Sequence, residues 1–112
     1  MGAFKQNEAV KEEIGHGRTR YLTNTEHLMM VVIDFDDGPT GEPDPPHRHP
    51  HEQVSYVAAG EIVLLLDGEA TPLGPGDIFT VPPNTPHSVQ LLTSHVRLVD
   101  TFTPLREEFL SS

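Results

Sequence analysis

Short apolar runs recur along this chain, and each is closed by a turn sequence. "RTRYLT" (18–23) and "LMMVVIDF" (28–35) are separated by the polar "NTEH", and "DDGPTGEPDPP" (36–46) follows as a Pro/Gly loop that no helix survives. "QVSYVAA" (53–59) stops at Gly60, "EIVLLLD" (61–67) runs into the hairpin signal "DGE", and "ATPL" (70–73) leads to "GPGD". "IFTV" (78–81) ends in "PPNTP", and "HSVQLL" (87–92) and "HVRLVDTF" (95–102) complete the set. About eight short strands at regular spacing predict an all-β antiparallel domain, a barrel or jelly roll. Eleven prolines and nine glycines among 112 residues point the same way and argue against a helix bundle. That length suits one domain with one core. We expect residues 1–17 to be a loosely attached arm and 18–112 the folded domain. Pro104 is expected to open a short helix over "PLREEFL" (104–110). The apolar run over 28–35 reads as a strand covered on both faces, its outer cover being a second subunit in a homodimer.

Charge narrows the partners. Seven basic against seventeen acidic residues leave a net charge of −10, which repels nucleic acid and anionic membranes. A local metal or arginine can still reverse the field inside a pocket, so the charge does not forbid a small acidic substrate. No apolar run approaches the length of a membrane span. The acidic start "MGAFKQNEAVKEE" lacks the apolar core of a secretory signal, so a cytoplasmic location is expected. With no cysteine, disulfides and thiolate zinc sites are excluded, and any metal must rest on His, Gln, Asp or Glu.

The histidines supply such ligands. In "PPHRHPHEQ" (45–53), His47, His49, His51 and Gln53 share one face if the segment is extended, as Pro46 and Pro50 favour. His87 opens a later strand after "PPNTP". A divalent transition metal (Ni, Fe, Mn or Zn) can take imidazole nitrogens from His47, His49 and His87, with an amide oxygen from Gln53. On spacing alone His51 is an equal candidate, and a solvated histidine-rich loop remains the competing reading. His16, His27 and His95 read as surface or turn residues.

The order Gly41, five residues, His47-x-His49, three residues, Gln53, six residues, Gly60 resembles the first motif of the cupin superfamily. "GDIFTVPPNTPH" (76–87) resembles the second, with Gly76, Pro82 and His87 in place. The resemblance implies a single-domain cupin, a conical jelly-roll barrel (double-stranded β-helix), with metal on His47, His49, Gln53 and His87 and with His51 elsewhere. Asn84 stands where cupins often have Gly, a mild change because Asn tolerates a left-handed turn. Gln53 stands where Glu is usual. It leaves the metal with more positive charge, which weakens retention but strengthens its pull on an anionic substrate. Drift at a degenerate position is the plainer explanation. "LMMVVIDF", "HRHPHEQVSYV", "PPNTPH" and "DTFTPLREEFL" further resemble the KdgF-like pectin-degradation cupins. Members of that group convert cyclic 4,5-unsaturated uronate monosaccharides to linear keto sugars. An iron-dependent cupin dioxygenase and a non-enzymatic sugar- or metabolite-binding cupin are the alternatives.

The last strand carries the catalytic candidates. By period two, Val96, Leu98, Asp100 and Phe102 share a face. A carboxylate amid an apolar face is costly unless it is paired or used. Asp100 is the expected acid/base, Phe102 a pocket wall, Arg106 the clamp for the substrate carboxylate, and Arg20 a second candidate for that clamp.

Overall fold

The computed structural model describes residues 2–110. Nine strands among them form two antiparallel sheets. The larger runs in the order β1 (Val10–Glu13), β2 (Arg18–Asn24), β3 (Met29–Phe35), β9 (Val96–Thr103), β4 (Glu52–Ala59) and β7 (Ile78–Val81). The smaller runs β6 (Glu69–Leu73), β5 (Ile62–Leu66) and β8 (His87–Leu91).

Alternation decides what faces inward. Along β4, Gln53, Ser55 and Val57 are buried while Glu52, Val54 and Tyr56 are exposed. Along β9, Val96, Leu98, Asp100 and Phe102 are buried. The core between the sheets joins Phe35, Val57, Phe79, Val81, Val96 and Leu98 of the larger sheet to Ile62, Leu64 and Leu91 of the smaller. Burial of each such side chain is worth about 1.5–3 kcal/mol relative to exposure. Leu22, Met29, Val31 and Phe102 form a second cluster at the other end.

The turns use the residues their geometry requires. Asp67 and Gly68, with φ of 50° and 82°, make the hairpin between β5 and β6. Asn84 takes φ 60°, the left-handed conformation expected of it. Gly60, at φ 80°, joins β4 to β5 where a Cβ would collide with the His95 carbonyl oxygen. The loop over 36–46 lies along the free edge of β8: Thr40 N–H donates to Leu91 O (2.9 Å) and Asp44 N–H to Val89 O (3.0 Å).

Three expectations are corrected. The loose arm over 1–17 is not what the chain builds, because Val10–Glu13 pairs with β2 as the edge of the larger sheet. The short helix over 104–110 is a single 3₁₀ turn, Glu107–Phe109, starting three residues after Pro104. β3 is not apolar on both faces: Met29 and Val31 point inward fully buried, whereas outward Asp34 accepts hydrogen bonds from Arg97 Nε and Nη2, both at 2.7 Å.

Candidate metal centre

His47 precedes β4 and His87 opens β8, and the two are locked together by reciprocal backbone hydrogen bonds of 3.0 and 2.9 Å. His49 enters from the same approach to β4. Ligand atoms of His47, His49 and His87 lie within 4.8 Å of one another, so this group can hold a metal ion. His51 stands outside it, buried, with its ring centroid 5.3 Å from that of His49.

The hydrogen bonds orient the rings. His49 Nδ1 donates to the carbonyl oxygen of His51 (3.2 Å) and His87 Nδ1 to that of Thr85 (2.8 Å). Each ring therefore presents an Nε2 lone pair. Gln53 Nε2 donates to Ser55 Oγ (2.9 Å), which donates to Asp100 Oδ1 (2.6 Å). With the amide nitrogen so committed, Gln53 Oε1 faces His49 Nε2 at 3.0 Å. Two lone pairs meet there, an arrangement that a shared cation relieves. Three imidazoles and a neutral oxygen suit a divalent transition metal.

Electrostatics agree. Burial first, then the neighbouring His87, pushes His47 down to about 4. Burial also lowers His49 and His87, with Arg106 adding to both. All three are neutral at pH 7, the form that binds a metal. Asp100 moves the other way: burial raises it to about 6, against the Ser55 hydrogen bond and the Arg106 charge.

These groups border one cavity of about 540 Å³. His47, Gln53, His87, Asp100, Phe102, Arg20 and Arg106 all line it, so the structure brings the expected site residues to one place. His49 lies behind, its ring 5.6 Å from that of Phe102, edge to face. Arg106 donates Nε and Nη2 to Glu108 Oε2 (3.0 and 2.7 Å). Arg20 donates Nε and Nη2 to Glu12 (3.0 and 3.5 Å). The motif reading misses Ser55, although alternation along β4 places it on the same face as Gln53. It also misses Arg18, which lines the cavity and ties Asp37 to Asp44. Neither partner is near it in sequence, so only the folded chain shows the link.

The Cupin domain family model matches residues 37–102. The chain is 38% identical over 109 residues to the pectin degradation protein KdgF of Dickeya dadantii (strain 3937), spanning 96% of each. An RmlC-like cupin from Shewanella frigidimarina NCIMB 400 matches with a TM-score of 0.86 at 38% identity, covering 97% of this chain and 96% of that one. KdgF from Halomonas sp. matches with a TM-score of 0.83 at 32% identity, covering 95% and 97%. With both motifs seated around one cavity and full-length similarity to these proteins, the chain belongs to the cupin family, and within it to the relatives of KdgF.

Proposed function

We propose that this protein is a metal-dependent isomerase that opens a cyclic 4,5-unsaturated uronate monosaccharide to its linear keto form. The observation that carries the reading is Asp100: a buried carboxyl with its pKa at about 6, facing the same cavity as His47, Gln53 and His87 and lined by arginines. A carboxyl poised near the working pH both takes and returns a proton. In the net reaction the anomeric hydroxyl loses its proton and C1 becomes the aldehyde carbonyl. The bond from C1 to the ring oxygen breaks, and the resulting C5 enol becomes a ketone as C4 gains a proton. Atoms balance with no oxidant.

His47, His49, His87 and Gln53 would hold the metal, which would supply polarisation of substrate oxygens. Asp100 moves the proton, and Ser55 fixes its carboxylate through the 2.6 Å hydrogen bond. Arg106, with Arg20, takes the substrate carboxylate, and Phe102 closes one wall. A cytoplasmic site of action suits a monosaccharide substrate. No helix among the described residues is long and apolar enough to cross a membrane.

A homodimer is part of the proposal. Met30, Val54, Tyr56 and Ile78 are 44%, 50%, 45% and 65% exposed on the outer face of the larger sheet. Val54, Tyr56 and Ile78 lie on neighbouring strands, with Met30 across β9, and exposed apolar residues gathered on one sheet face suit a second copy.

The test uses unsaturated uronate monosaccharide released by a lyase, whose conjugated double bond absorbs in the ultraviolet. Metal-loaded protein should speed the loss of that absorbance equally in air and without oxygen. Oxygen uptake coupled to turnover would instead indicate a dioxygenase, and saturable binding without turnover a binding protein.

A further inference from the structure

Two guanidinium groups from opposite ends of the chain meet at one aromatic ring. Arg20, on β2, lies 4.0 Å from the centroid of Phe109, and Arg106, beyond β9, lies 4.2 Å from it. Both side chains are mostly buried, at 16% and 14% exposure, and both line the metal-centre cavity. Two positive charges packed against one ring in a partly desolvated site need compensation. Glu12 and Glu108 each neutralise one of them, and the electron-rich face of Phe109 attracts both. The ring is itself held by an edge-to-face contact with buried Phe102 at 6.1 Å. Arg18 is the useful contrast. Its Nε, Nη1 and Nη2 are all taken by Asp37 and Asp44, so its role is to tie structure together. In Arg20 and Arg106 only Nε and Nη2 are engaged, and Nη1 donates no hydrogen bond among the described residues.

We propose that Phe109 is a positioning residue: it seats both Arg20 and Arg106 against its ring, as one two-guanidinium clamp for the carboxylate of the substrate. This rests on the reading of an acidic sugar as substrate and adds a specificity element to it. A carboxylate held by two guanidiniums gains charge-assisted hydrogen bonds that persist from ground state to transition state. β1 then has a role of its own, since Glu12 holds Arg20 through its Nε. The ring acts through its π face, so a substitution of similar bulk without that face loosens both arginines together.

The experiment measures binding of D-galacturonate, a saturated uronate without the C4–C5 double bond of the proposed substrate, to metal-loaded wild type, Phe109→Leu and Phe109→Tyr. Metal content and thermal midpoint are recorded for each. Phe109→Leu should bind about 5–10-fold more weakly with metal content unchanged, since two cation–π contacts are lost. Phe109→Tyr, which keeps the ring, should stay within about twofold of wild type. On the unsaturated substrate, Phe109→Leu should raise KM far more than it lowers kcat, because the clamp grips ground state and transition state alike. Phe109→Met repeats the measurement if the leucine variant yields little folded protein. Wild-type affinity in Phe109→Leu or Phe109→Met, or Phe109→Tyr as weak as leucine, overturns the role of the ring and leaves the proposed reaction standing. Wild type that binds no galacturonate overturns the acidic-substrate reading, and the clamp with it.

Discussion

Asp100 and Gln53 are joined through one hydroxyl, and that short path makes each responsive to changes in the other. Ser55 Oγ gives its only hydrogen to Asp100 and accepts one from Gln53. Gln53→Glu removes that donor and adds a negative charge beside the histidines. Metal should be held more tightly, while turnover falls about 10–100-fold and KM for an acidic substrate rises, measured by metal competition and steady-state kinetics. His49→Ala should lose metal and activity together. Asp100 also predicts a pH effect on stability. Its pKa in the folded chain is about 6 against 3.8, so folding disfavours its ionisation. The stability it contributes is complete below pH ~4 and lost as pH rises through about 6. In metal-free protein, Asp100→Asn should therefore be more stable than wild type by on the order of 2–3 kcal/mol at pH 7.5, with the gap closing towards pH 4, as read by urea unfolding. A gap that grows on acidification would contradict that assignment. At this scale the histidines were legible because His47, His49 and Gln53 lie within seven residues, and strand alternation orders them. Ser55, Arg18 and Glu12 were not, since each matters through a partner distant in sequence: Asp100, Asp37 with Asp44, and Arg20 respectively.

The loop over 36–46 is an element without secondary structure, held to β8 by backbone hydrogen bonds and tied across its two ends by one side chain. Arg18 bonds Asp37 near its start (3.0 Å) and Asp44 near its end (2.7 Å), and its guanidinium lies 4.9 Å from the Phe35 ring centroid. That staple sets the approach of the chain to His47, three residues on. Arg18→Gln should lower stability by about 1–2 kcal/mol, less than a fully buried charge network would lose because the site is partly solvated. Hydrogen exchange should rise along residues 36–46, while the metal stays bound. Unchanged exchange there would mean the loop is held by its backbone hydrogen bonds to β8 alone. The eight strands from β2 to β9 were legible because period-two patterning and Gly/Pro turns delimit them. β1 was not, as "VKEE" holds one apolar residue beside three charges. It is an edge strand, where charge is favoured because it discourages further pairing.

For the whole molecule, the exposed apolar face of the larger sheet bears on assembly. Val54, Tyr56 and Ile78 lie on β4 and β7, with Met30 on β3, and their burial on association is favourable. Light scattering should give twice the chain mass, and Val54→Asp should shift it to the monomer mass while leaving metal content unchanged. A wild-type monomer at micromolar concentration would contradict the dimer. The apolar run of β3 pointed to this face from the sequence, but Val54 and Ile78 join it only through the pairing of β4 with β7 and β9. The central claim is that this barrel carries a metal centre beside a separate proton-moving carboxyl. Its most direct test follows ultraviolet loss from unsaturated uronate with metal-loaded wild type and Asp100→Asn side by side, each assayed for bound metal. Wild type should turn over without oxygen, and Asp100→Asn should retain its metal but lose about 10²–10⁴-fold in kcat. An Asp100→Asn variant as fast as wild type, or a wild type inert towards the uronate, would contradict the account.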